Sequence, residues 1–201
     1  DLVEGDVSGN ISCSDGLPLK SRIAYMAQQD LLLPWRTVRE NVELGASLRG
    51  QRPDHDKADR LIAEVGLSNA AHLRPAELSG GMKQRAALAR TLMEDRPVVL
   101  MDEPFSALDP VNRLRLQELA AQVLRGKTVL LVTHDPLEAL RLGDFVHVLR
   151  GRPARLQDAI TPTGPSPRDI TDADILRQQA QLLRQLGANE TAAAAVSENA
   201  Q

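Results

Sequence analysis

Apolar positions along this chain fall into two kinds of pattern. Short continuous runs, bounded by charged or turn residues, read as strands; longer stretches with apolar residues every three or four positions read as helices. "DVSGNISCSDG" (6–16) and "SRIAYMAQ" (21–28) predict two short strands separated by a turn at Gly16-Leu17-Pro18. "QDLLLPWR" (29–36) is an apolar loop carrying Pro34 and Trp35. Thr37 and Glu40 have the spacing of a capping box, so "TVRENVELGASL" (37–48) predicts one helix. After the charged linker "QRPDHDK", "DKADRLIAEVGL" (56–67) predicts an amphipathic helix ending near Gly66.

"LSGGMKQRAALAR" (78–90) predicts a helix that opens on Ser79-Gly80-Gly81. Val98–Met101 and "KTVLLVTHD" (127–135) are apolar runs of the kind buried on both faces of a parallel sheet. The intervening "VNRLRLQELAAQVLRG" (111–126) predicts the crossover helix of a βαβ unit. "DPLEALRLG" (135–143) is a short helix, and "DFVHVLRGRPARL" (144–156) a hairpin. "TPTGPSP" (161–167) is a linker, and "DADILRQQAQLLRQLG" (172–187) an amphipathic helix. The Ala-rich "ANETAAAAVSENAQ" (188–201) is expected to be disordered. The elements therefore predict an α/β fold with a mostly parallel sheet.

Composition narrows the function. The chain has 201 residues, 42% hydrophobic and 25% charged, with net charge -3. A weakly acidic chain with four aromatics, Tyr25, Trp35, Phe105 and Phe145, argues against nucleic acid as a partner. Cys13 is the only cysteine, which rules out an internal disulfide framework and a thiolate metal cluster. No apolar run in the sequence approaches the length of a membrane span.

Three places carry candidate chemistry. The first is the start of the Ser79 helix. Glycine weakens a helix interior by about 1 kcal/mol relative to alanine. Two of them at a helix start leave bare N–H groups that a phosphate can approach. The alternative is an ordinary loop with Ser79 as its cap. The second is Asp102-Glu103, at the end of a strand where α/β sheets bind ligands. One carboxylate suits Mg²⁺ and the other could take a proton from water. Alternatively, both simply cap the turn at Pro104. The third is His134, at the end of the next strand, which alone signals little. His55, His72 and His147 lack a partner pattern, and "DHD" (54–56) reads as solvated linker.

Taken in order, Gln28, "LSGGM" (78–82), "VVLMDEP" (98–104), "SALD" (106–109) and His134 resemble the Q-loop, signature, Walker B strand, D-loop and switch histidine of the ATP-binding subunits of ATP-binding cassette (ABC) transporters. The resemblance runs from about residue 5 to residue 155. It implies a P-loop NTPase-like α/β fold with a helical signature subdomain. The boundaries it suggests are 1–30 and 95–155 for the ATPase core, 31–94 for the helical subdomain, and 156–201 for an appendage.

The resemblance also implies roles. Asp102 holds Mg²⁺ through water, and Gln28 senses the metal and the attacking water. Glu103 is the general base, and His134 contacts the γ-phosphate. Asp109 orients the opposing subunit's site. Ser79, Gly80 and Gly81 bind the γ-phosphate of an ATP held by that second subunit. Phosphoryl transfer asks mainly for positioning and charge stabilisation, which these parts supply. The implied setting is the cytoplasmic face of the inner membrane. There Leu31–Trp35 would meet transmembrane permease subunits, with a periplasmic or extracellular solute-binding protein acting indirectly. Trp35 could equally be subdomain core.

Two features depart from the pattern. Met82 stands where the family usually has Gln. That variant, with "LLLPW" after Gln28, resembles importers of the nitrate, sulfonate, taurine and thiamine-precursor group. No G-x-x-x-x-G-K-[ST] occurs in the sequence. The reading is of a chain truncated just after the P-loop helix, with a poorly covered core and little ATP hydrolysis of its own. The alternative function is an inactive fragment or non-catalytic partner. A DNA-repair ATPase would need a long coiled coil between Gln28 and Ser79, and the sequence holds only short helices there.

Overall fold

The computed structural model describes residues 8–151 and 153–198, with side chains through residue 186. Its centre is a parallel three-stranded sheet, in the order β1 (Ile23–Met26), β2 (Val98–Asp102), β3 (Thr128–Val132). The register aligns Ala24 with Val99 and Val129, and Met26 with Met101 and Leu131. Between β1 and β2 lie α1 (Val38–Val42), α2 (Leu44–Leu48), α3 (His55–Glu64) and α4 (Gly80–Met93). Helix α5 (Pro110–Val123) connects β2 to β3 and completes the expected βαβ unit. Helix α6 (Pro136–Leu142), the β4–β5 hairpin (Leu149–Arg150, Arg155–Leu156) and α7 (Ala173–Glu198) follow.

Helix starts follow local sequence. Thr37 caps α1 through a full capping box with Glu40. Asp54, Ser79, Asp109 and Asp135 each accept backbone N–H groups at the starts of α3, α4, α5 and α6. The main core joins the inner sheet face (Ala24, Met26, Val99, Met101) to α1, α3 and α4. Ala86, Ala87 and Ala89 are fully buried, and their small side chains suit α4 to close contact with its neighbours. A second cluster, Leu140, Val146, Ile175 and Leu182, seats α7 on α6. Arg168 fastens the same region: its guanidinium donates to the carbonyls of Leu140, Gly143, Pro162 and Thr163.

Five expectations are corrected. Residues 8–16 form no strand. Asp15 instead bends the chain, accepting from Leu17 N and binding Arg22, while residues 6 and 7 lie outside the described residues. The helix over 37–48 breaks at Glu43, whose buried carboxylate reaches His55 Nδ1 at 2.6 Å. Strand β2 is buried on one face only: Val99 and Met101 are inside, Val98 and Leu100 half-buried. Strand β3 is an edge strand, with Leu130 60% and Val132 51% exposed; together with Tyr25 they line the outer sheet face. An apolar run reports that a strand is apolar, and what packs on each face is decided elsewhere. Helix α7 continues to Glu198, where disorder was expected. Ala192–Ala195 have the highest intrinsic helix propensity, which outweighs the lack of an apolar stripe.

Candidate active site

The strand ends gather the acidic pair and the histidine. Parallel pairing brings Asp102, the last residue of β2, level with Val132 of β3, and Glu103 N donates to Val132 O at 2.9 Å. That bond turns the chain so that Glu103 Oε1 meets His134 Nδ1 at 2.7 Å. The Glu103 carboxylate is 14% exposed, whereas the imidazole is 77% exposed and open to a ligand at Nε2. The hydrogen bond to Glu103, then the charge of that carboxylate, raise the pKa of His134 above the usual imidazole value. A cavity of about 20 Å³ between Glu103, Thr133, His134 and Glu138 has room for a single water.

Glu103 adopts a left-handed backbone, φ +49°. For a non-glycine residue this costs about 1–2 kcal/mol. Its carbonyl is held by Ser106 Oγ at 3.0 Å and by Gln84 Nε2 of α4 at 3.2 Å. Gln84, 5% exposed, also donates to Pro104 O at 3.0 Å.

The side chains of Asp102 and Gln28 have no hydrogen-bond or ion-pair partner among the described residues. Gln28 lies two residues past Met26, as Glu103 lies two past the paired Met101. No group of three or more His, Cys, Asp or Glu side chains that could hold a metal occurs among the described residues. The free carboxylate of Asp102 suits Mg²⁺, which keeps most of its waters and takes its remaining ligands from phosphate.

Ser79 Oγ accepts from Met82 N at 3.3 Å and caps α4, as the simpler reading expected. The glycines have no such explanation. Neither Gly80 nor Gly81 has a positive φ. A Cβ at Gly80 would meet nothing within 4 Å, and at Gly81 only Ala107 O at 3.4 Å and Leu108 Cδ2 at 3.9 Å. Backbone conformation and packing within the chain therefore do not require glycine there. Asp109 caps α5 through Asn112 and is exposed. Trp35, at 67% exposure, is not core.

Sequence reasoning missed several residues around this site. Gln84 occupies the stripe shared with Leu88 and Leu92, and a polar side chain in an apolar stripe was the available signal. Glu138, 4% exposed, receives Gln117 Nε2 at 3.0 Å; burial raises its pKa, while Thr133 and Gln117 oppose the shift. Arg113 bridges Leu108 O and Asp135. Glu138 and Arg113 became visible only once α5 and α6 were placed. A larger depression of about 290 Å³ between α3 and α5 is open and lies away from the strand ends.

A parallel sheet whose strand ends present Asp-Glu and a histidine, with a helix that starts on bare glycines, is the arrangement of an α/β nucleotide-binding fold. Comparison with known proteins narrows this. The "ABC transporter" family pattern matches residues 4–106, more than half of the chain. A Haemophilus influenzae protein named "Uncharacterized ABC transporter ATP-binding protein" is 45% identical over 176 residues, covering 85% of this chain and 73% of that protein. The "Aliphatic sulfonates import ATP-binding protein SsuB 2" of Burkholderia cenocepacia is 40% identical, covering 90% and 68%. Among solved structures, the ADP- and Pi-bound post-hydrolysis dimer of the ATP-binding cassette MJ0796 aligns with TM-score 0.55 at 35% identity, over 59% of this chain and 55% of that one. The chain belongs to the ABC transporter family, as an ATP-binding subunit with the ABC ATPase fold.

Proposed function

We propose that this chain energises uptake of a small anionic molecule of the aliphatic sulfonate class, at the cytoplasmic face of the membrane, through the roles assigned to Gln28, Ser79–Gly81, Asp102, Glu103, Asp109 and His134. The Glu103–His134 pair beside the free carboxylate of Asp102 carries this reading. Glu103 Oε2 takes the proton of a water held in the small cavity. His134 keeps Nδ1 on Glu103 and offers Nε2–H to a γ-phosphate oxygen. Glu103 raises its pKa, which favours the cationic form of that donor as charge develops on the phosphate. Mg²⁺, held at Asp102 and Gln28, would supply charge neutralisation on the phosphate oxygens.

The unexplained glycines at 80 and 81 support a cross-subunit role, in which the α4 start meets the phosphate of an ATP on a second, head-to-tail subunit. The dimer named for MJ0796 and the SsuB relatives support the assembly and the substrate class. Other subunits select the transported molecule. The exposed Leu31 and Trp35 suit docking to transmembrane permease subunits, and no helix among the described residues is long and apolar enough to cross a membrane itself.

The test is Mg·ATP binding by calorimetry. It compares the 201-residue chain with the same chain joined to a P-loop-bearing N-terminal segment. Only the joined form should bind, and Glu103→Gln in it should keep binding and stop turnover. Equal binding by the 201 residues alone would mean that the phosphates are held elsewhere, and the site assignment would fall.

A further inference from the structure

Leu31 is the second non-glycine residue of functional interest with a left-handed backbone, φ +46°. It lies three residues past Gln28 and opens the loop that displays Trp35. The strain is not compensated by its own side chain, which is 58% exposed. It is compensated from α4. Arg90 Nη1 donates to Leu31 O at 2.7 Å and Nη2 to Asp30 O at 2.6 Å, a two-pronged grip on consecutive carbonyls. Burial lowers the Arg90 pKa, and the nearby Asp30 and Glu94 charges oppose that shift. The far side of the loop is held by Asn41 of α1, which is fully buried. It accepts from Leu33 N and donates to the carbonyls of Leu33, Arg36 and Thr37.

We propose that Arg90 is a positioning residue for the Leu31–Trp35 loop: its forked grip on the Asp30 and Leu31 carbonyls holds Leu31 left-handed and so keeps Leu31 and Trp35 turned outward. A loop held this way meets a partner without first losing conformational freedom, which favours binding. Arg90 shares α4 with Gln84, the residue that holds the Glu103 carbonyl, six positions and about 9 Å of helix away. The partner-facing loop and the catalytic turn therefore hang from one helix. What the two turns do rests on the function proposed above, whereas the grip itself is independent of it.

The experiment uses the 201-residue chain, with Trp35, its only tryptophan, as reporter. Lysine keeps the charge but cannot fork onto two carbonyls. Arg90→Lys should change the native-state emission maximum and speed the anisotropy decay of Trp35. Leu61→Ala, a core cavity in α3, should lower the urea midpoint and leave both signals unchanged. Leu31→Gly removes the left-handed cost. It should therefore raise the urea midpoint more in the native background than in Arg90→Lys, where the loop has already relaxed.

If Arg90→Lys does not fold, Leu31→Gly and Leu31→Ala decide the matter alone. At a residue held left-handed, the glycine variant must be the more stable of the two. Unchanged Trp35 signals in folded Arg90→Lys, equal effects of Leu31→Gly in both backgrounds, or a more stable Leu31→Ala would each overturn the proposal. A chain that passes these tests but binds permease equally well as Trp35→Ala would keep the grip and lose the docking role.

Discussion

Replacing Gln84 by methionine tests how the catalytic turn is held. Methionine nearly conserves volume, so no cavity term enters and the loss is that of the amide. Two hydrogen bonds disappear, to Glu103 O at 3.2 Å and Pro104 O at 3.0 Å. The Glu103 carbonyl keeps Ser106 Oγ at 3.0 Å and Ser106 N at 3.3 Å, so its loss is about 0.5–1 kcal/mol. Pro104 is buried and its carbonyl has no second partner among the described residues, so stranding it costs about 1–3 kcal/mol. The sum is about 1.5–4 kcal/mol. With a urea slope of about 2 kcal/mol/M, the unfolding midpoint should fall by about 0.8–2 M at unchanged slope. A second readout is specific to the turn: as Glu103 loosens, the His134 titration followed by NMR should move down toward its ordinary value. A midpoint within about 0.2 M of the parent, with His134 unmoved, would refute the claim that Gln84 supports the turn.

Other outcomes follow from the same geometry. Glu103→Gln removes the main cause of the raised His134 pKa, so its NMR titration should drop; because the folded pKa is raised, the pair's small contribution to stability is complete below about pH 6.5 and fades as pH rises through the folded value. Glu138 is likewise raised, by burial, so the native state loses stability as pH climbs from about 4.5 through its folded pKa. Glu138→Gln should therefore raise Tm at pH 7 and flatten Tm against pH. Ser79→Ala should cost about 1 kcal/mol in urea unfolding, the loss of one helix cap. Gly80→Ala should leave the fold as stable or up to about 1 kcal/mol more so, since nothing lies within 4 Å of the new methyl, while weakening nucleotide-dependent dimerisation of a P-loop-bearing form.

Several elements were legible because their causes are local. Thr37 and Glu40 cap α1 within four residues, and Ser79, Asp109 and Asp135 cap their helices within three. Strands β2 and β3, the helix between them and the β4–β5 hairpin follow from patterns a few residues long. Asp102, Glu103 and His134 were legible as a set, because parallel strands must end on the same side of the sheet.

What sequence could not supply was every interaction whose partner is a distant backbone carbonyl. Gln84 meets Glu103 and Pro104, Arg90 meets Asp30 and Leu31, and Arg168 meets the end of α6. Any residue offers that carbonyl, so no residue type marks it in advance. The left-handed turns at Leu31 and Glu103 escaped for the same reason: neither is a glycine, and the groups that hold them come from α4. One-sided burial of β2, exposure of β3 and the break at Glu43 likewise depended on what packs, or fails to pack, against each segment. By itself the sequence determined the helix starts and their capping groups, strands β1–β3 and the helix between β2 and β3, because those preferences act over a single turn of chain. Tertiary structure decided which side chains hold the two functional turns in shape, because burial brings donors of α4 to carbonyls up to sixty residues away.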